Sequence, residues 1–186
     1  MQEKENLLRI LKETRKAVQK EDVLLLRELS NQTVHSASIY RDTDNIAVAV
    51  LVYSLSKILE RKNYRDYRNW PKFFKNFMIC IDRAINALEK NQVDYFHDQM
   101  KCIRKNINDL SGNLKSQIQD VFKKAEISKA SRIYEHGLSM EQTAKLLGIT
   151  IWELAEYAGQ TGIGDVNLGV TMDVKRRIKY AEEIFK

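Results

Sequence analysis

The chain is poor in the residues that break helices. It has one proline, Pro71, and seven glycines among 186 residues. Chains built of short strands and tight turns need many more of both, so long helices are the expectation. Cysteines number two, Cys80 and Cys102, and neither has zinc-type spacing. Both fall on apolar helical patterns, so buried free thiols are expected, behaving as small hydrophobes. There are three histidines, no glycine-rich phosphate loop and no Ser/His/Asp order. No apolar run reaches the ~18 residues a membrane helix needs. The first residues, "MQEKENLLRILKETRK", lack the apolar core of a secretory signal. The expectation is a cytoplasmic protein with no membrane contact, no metal, no cofactor and no catalytic site.

What is present is hydrophobic periodicity. Leu7, Leu11, Thr14 and Val18 recur at helical spacing and predict a helix over 4–19. A second helix is expected from Glu21 to about Arg41. Asp42 or Asp44 then offers a carboxylate to the free N–H groups of the next helix. That helix, "NIAVAVLVYSLSKILERK", is apolar on nearly every side between Ile46 and Leu59, the pattern of a helix buried all round. Pro71 suits a first turn, where its missing N–H costs nothing. Phe74, Phe77, Met78, Ile81, Ile85 and Leu88 line one face after it, with Asn91 as the cap of a further helix. Phe96, Met100, Ile103, Ile107 and Leu110 line that one, and Gly112 is placed for a left-handed turn. Leu114, Ile118, Val121 and Ala125 open another helix running towards Glu135. No internal repeat is visible. The fold class is all-α: a helical bundle over 1–115, then a helix-turn-helix-like module with a C-terminal helix over 116–186.

The module rests on "HGLSMEQTAKLLGITIWELAEYAGQTGI". Ser139 with Gln142, and Thr150 with Glu153, fit capping boxes. Met140, Ala144 and Leu147 form an apolar stripe, and Gly148 sits where a sharp helix end needs positive φ. Ile149 is placed to plug the turn, and Trp152, Ala155 and Tyr157 to hold the second helix. Ala130, Ile133 and Tyr134 supply a preceding helix. Ala130, Tyr134, Gly137, Ser139, Ala144, Leu147, Gly148, Trp152, Glu153, Gly162 and Ile163 resemble the helix-turn-helix part of small prokaryotic antitoxins that accompany PIN-domain toxins. The resemblance covers about 35 of the 186 residues. It implies DNA-linked regulation or binding to a partner protein.

Charge divides the chain unevenly. The net charge is +6. Residues 1–124 hold 23 Lys+Arg against 16 Asp+Glu, whereas 125–163 hold 3 against 5. DNA affinity comes mainly from Lys and Arg meeting phosphates. The second helix of the module offers only Gln160 as a base reader, beside Glu153 and Glu156. Phosphate contacts are therefore expected from Lys129, Arg132 and Lys145, and from Lys175, Arg176, Arg177 and Lys179. The latter four lie on a C-terminal helix expected from Met172, capped by Thr171, with Val174, Ile178, Ala181 and Phe185 as its stripe. Protein docking is the alternative use of the same shape, and a homodimer is expected.

A second candidate is "KILERKNYRDYRNWPKFFKNF", with seven basic and two acidic residues among aromatics. Lys62, Tyr64, Arg65, Tyr67, Arg68, Trp70 and Lys72 could hold RNA, rings stacking on bases and cations on the backbone. The alternative is that the rings anchor a loop and the charges are solvated. A third candidate is a polar stripe at helical spacing, Glu28, Asn31, His35, Ser38 and Asp42. A ribonuclease relying on His35 is the minor enzymatic alternative. Arg27 lies eight residues before His35. That misses the closer spacing of HEPN-type ribonucleases, so that family is not assigned. A satisfied seam between helices is the simpler reading.

Overall fold

A helix that is apolar on every side has to lie inside its neighbours, and the third helix does. The computed structural model describes residues 3–40, 42–135, 138–147, 150–152 and 154–156. Its elements are α1 (Lys4–Gln19), α2 (Val23–Tyr40), α3 (Thr43–Glu60), a 3-10 turn (Lys62–Asp66), α4 (Trp70–Glu89), α5 (Val93–Asn108), α6 (Gly112–Glu135) and α7 (Met140–Leu147). Every one is helical, as the composition implies. α3 buries 12 of its 18 residues. Asp42 starts it by accepting from the Asp44 N–H at 2.9 Å, which satisfies one of the donors a helix leaves free at its first turn. α1, α2, α6 and α7 all pack on α3.

The remaining helices form antiparallel hairpins, α1 with α2 and α4 with α5, joined by a contact of α1 on α4. These two hairpins repeat one another 70 residues apart, a relation the sequence reading does not find. Leu7 and Phe77, Ile10 and Cys80, Leu11 and Ile81, Thr14 and Ala84, Ala17 and Ala87, and Val18 and Leu88 are all buried. The turns match as well. Glu21 has φ 54° and Asn91 has φ 57°. Asp22 N–H donates to Ala17 C=O at 2.9 Å, and Gln92 N–H to Ala87 C=O at 2.8 Å. Such bonds close a helix end around a left-handed residue. Asn91 is thus the left-handed residue of the turn, and Gln92 precedes α5 in the place expected for Asn91. The repeat shares burial positions and one turn, not residue types, so it leaves no mark in the amino-acid order.

The two cysteines do not stay free. Cys80 on α4 and Cys102 on α5 form a disulfide with Cα atoms 6.2 Å apart. Antiparallel packing of the hairpin sets the two positions opposite each other, within bridging range. That corrects the expectation of buried thiols.

α6 is one continuous helix of 24 residues. It leaves the left-handed Gly112, φ 63°. Leu114, Ile118 and Val121 enter the main core. Ala125 and Ile133 join Val34, Ala37, Ile46, Ala49, Val50 and Leu138 in a second cluster. Ala130 joins Ala144 and Leu154 in a third. The expected boundary after residue 115 therefore falls one turn inside α6.

Core position should decide the cost of truncation. Phe96→Ala, at 0 % exposure, should lose about 3–5 kcal/mol in urea unfolding. Leu24→Ala, at 76 % exposure, should stay within about 0.5 kcal/mol of the parent.

Candidate functional site

The C-terminal unit is built from the last part of α6, from α7 and from the residues after it. Ser139 caps α7 in both directions. The Gln142 N–H donates to Ser139 Oγ at 3.1 Å, and the Ser139 N–H donates to Gln142 Oε1 at 3.4 Å. This is the reciprocal capping box read from the sequence. Ala144 then meets Ala130 and Leu154, with Met140 at the edge. Leu154 N–H donates to Thr150 C=O at 3.2 Å, so a helical turn opens at Thr150, the expected cap.

Trp152 does not hold this turn. It is 84 % exposed, and Ile151 beside it is 46 % exposed. Leu154 is the buried anchor, at 1 %. Two residues on a helix are about 200° apart, so a turn that buries Leu154 has to point Trp152 outward. The expected anchoring by Trp152 is corrected on that ground. Gly137, Gly148, Ile149, Glu153, Tyr157, Gly162 and Ile163 lie outside the described residues, as do Gln160, Lys175, Arg176, Arg177 and Lys179 and the helix expected from Met172.

The phosphate-contact candidates that are described separate into two groups. Arg132 and Lys145 are exposed. Lys129 is buried, with 2 % exposure. Its ammonium donates to Asn31 Oδ1 at 3.1 Å and lies 4.1 Å from the centre of the Tyr53 ring. An amide oxygen and a ring face are the partners a cation needs when water is excluded. Burial first, and the nearby charge of Arg132 second, together push the Lys129 pKa down to about 8. Lys129 is therefore a strut between α6, α2 and α3, not a phosphate contact. The signal was in the sequence: Lys129 sits four residues from both Ala125 and Ile133, on their apolar face.

The polar stripe on α2 does not converge on one point. Asn31 serves Lys129, and Asp42 serves the start of α3. Glu28 accepts from Gln32 at 3.4 Å, and the Ser38 hydroxyl donates to His35 C=O at 2.7 Å. The His35 side chain is exposed. Two of these bonds lie within α2, one joins it to α6, and one caps α3.

The basic aromatic segment turns its rings inward. Tyr64 is 1 % exposed and Trp70 8 %. Their rings stack at 6.2 Å, and Trp70 stacks on Phe74 at 5.0 Å. Tyr67 is half-buried and its hydroxyl accepts from Gln117 at 3.1 Å. Arg65 pairs with Glu21 at 2.8 Å. Lys62, Arg68 and Lys72 are exposed. Tyr64 and Trp70 are thus committed to the core, and the cations face outward together with Asp66.

Among the described residues no cluster of His, Cys, Asp or Glu is placed to hold a metal ion, and no helix is long and apolar enough to cross a membrane. No family model matches the chain, and no curated protein and no solved structure matches it.

The strut at Lys129 should be visible in the pH dependence of stability. Its folded pKa is about 8, below the ordinary value of 10.5. The unfolded chain therefore binds the proton more tightly, and this residue makes stability rise from about pH 8 to about pH 10.5. Lys129→Met should stabilise the protein at pH 7 by about 1–3 kcal/mol and remove that rise. Urea unfolding of both proteins at pH 7 and pH 10 measures it.

Proposed function

We propose that the protein is a nucleic-acid-linked regulator of antitoxin-like type, acting in the cytoplasm as a homodimer. Its C-terminal unit recognises a partner protein. The observation that carries this reading is the exposure of Trp152, 84 %, beside Ile151. A large aromatic held outward on a short, capped and packed frame is the usual anchor of a protein interface. Frame and anchor are distinct here: Ala130, Ala144 and Leu154 hold the unit together, and none of them is exposed.

The charges support protein over DNA. Glu141 and Glu156 are exposed on the same unit, and Lys129 is withdrawn into the interior. Acids beside the presented face repel phosphates. They favour instead an apolar pocket rimmed by basic residues. Duplex DNA is the second reading, because Arg132 and Lys145 stay exposed on the unit. RNA held by residues 57–77 has less support, since Tyr64 and Trp70 are buried.

Crosslinking in cells separates these readings. A photo-reactive amino acid placed at position 152 should give one specific protein adduct, absent when the same group replaces the exposed Leu24. The isolated partner should bind Trp152→Ala at least about tenfold more weakly than the parent. Adducts to DNA alone, with random-duplex binding lost on neutralising Arg132 and Lys145, would establish the second reading instead. Position 152 behaving like position 24 would end the proposal.

A further inference from the structure

A groove of about 720 Å³ runs between α3, α5 and α6. Its floor is apolar and comes from all three helices: Ile46, Val50, Leu51, Ile103, Ile107 and Phe122. Lys101, Arg104, Lys123 and Glu126 also line it, the last two one turn apart on α6. His97 and Asp44 line it too, with Nε2 and Oδ1 2.9 Å apart.

The hairpin repeat explains why this space is open. In the first hairpin, α2 seats α3 closely with small side chains. Ser30 donates to Ala49 C=O at 2.8 Å, and Val34 and Ala37 pack on Ile46 and Val50. Seventy residues on, the matching positions of α5 are Met100, Arg104 and Ile107. These are much larger, and they hold a third helix away. α6 touches α5 only sparsely and lies on α3 instead.

We propose that this groove binds a small amphipathic anion, an aliphatic or aromatic body carrying one carboxylate-type head. The volume lies in the range of small-molecule sites, which are mostly apolar with few polar groups. The head would lie at Arg104, an exposed side chain with no hydrogen bond or ion pair to another side chain among the described residues. A guanidinium meets a carboxylate with two parallel bonds. Lys101 adds charge, since its pairing with Asp98 is a surface one, 77 % and 61 % exposed, and is weak. Asp44 is hydrogen-bonded to His97.

Fluorescence of anilinonaphthalene sulfonate, displaced by dodecanoate or by dodecanol, tests the site. The probe should saturate at one site per chain. Dodecanoate should displace it far better than dodecanol. Arg104→Glu, an exposed substitution that leaves the fold intact by circular dichroism, should weaken dodecanoate at least about tenfold. Ala47→Trp, which fills the groove, should abolish binding. Unsaturable binding, equal displacement by acid and alcohol, or unchanged binding by Arg104→Glu would each overturn the assignment.

Discussion

Between Ile46 and Leu59, α3 is shut off from water on almost every side, and the other helices are arranged around that fact. Removing so much apolar surface from solvent is the largest favourable term available to a chain of this size. No single neighbour can supply it. α2 covers one side with Ser30, Val34 and Ala37, and α6 covers another with Val121 and Ala125. α1 and the α4–α5 hairpin complete the main core. Each of these helices needs only one apolar stripe, because α3 provides a partner in every direction.

This explains which features could be read from the chain. α1 matches its expected span, and α3 was identifiable as the centre, because apolar spacing reports burial directly. The Asp42 cap, the left-handed Gly112 and the Ser139 capping box were legible because each depends on a residue type in one local geometry. The cysteine pairing was not legible. It depends on how two helices lie against each other, and periodicity within one helix says nothing about that. The hairpin repeat was hidden for a similar reason, since Thr14 and Ala84 share a place without sharing chemistry.

The candidate sites divide along the same line. Charge and aromatic content suggested surfaces, but burial decides whether a surface exists. Tyr64 and Trp70 could be read as stacking platforms or as rings anchoring a loop, and they are core. Lys129 read as a phosphate contact and is a buried strut, whose amine takes an amide oxygen and a ring face in place of water. Trp152 read as core and faces outward. In each case the residue type was ambiguous, and its phase relative to a buried neighbour was the better guide. Leu154 fixes that phase for Trp152, and Ala125 and Ile133 fix it for Lys129.

α3 also links the two proposed sites. Ile46, Val50 and Phe122 line the groove, and the same three side chains belong to the cluster that seats Ile133 and Leu138. Leu138 immediately precedes the Ser139 cap, and Ile133 lies one turn from Ala130, on which α7 packs. Packed interiors transmit displacement because they hold few voids to absorb it. Ile46 and Val50 are thus shared between the groove and the cluster that holds the end of α6 and Leu138.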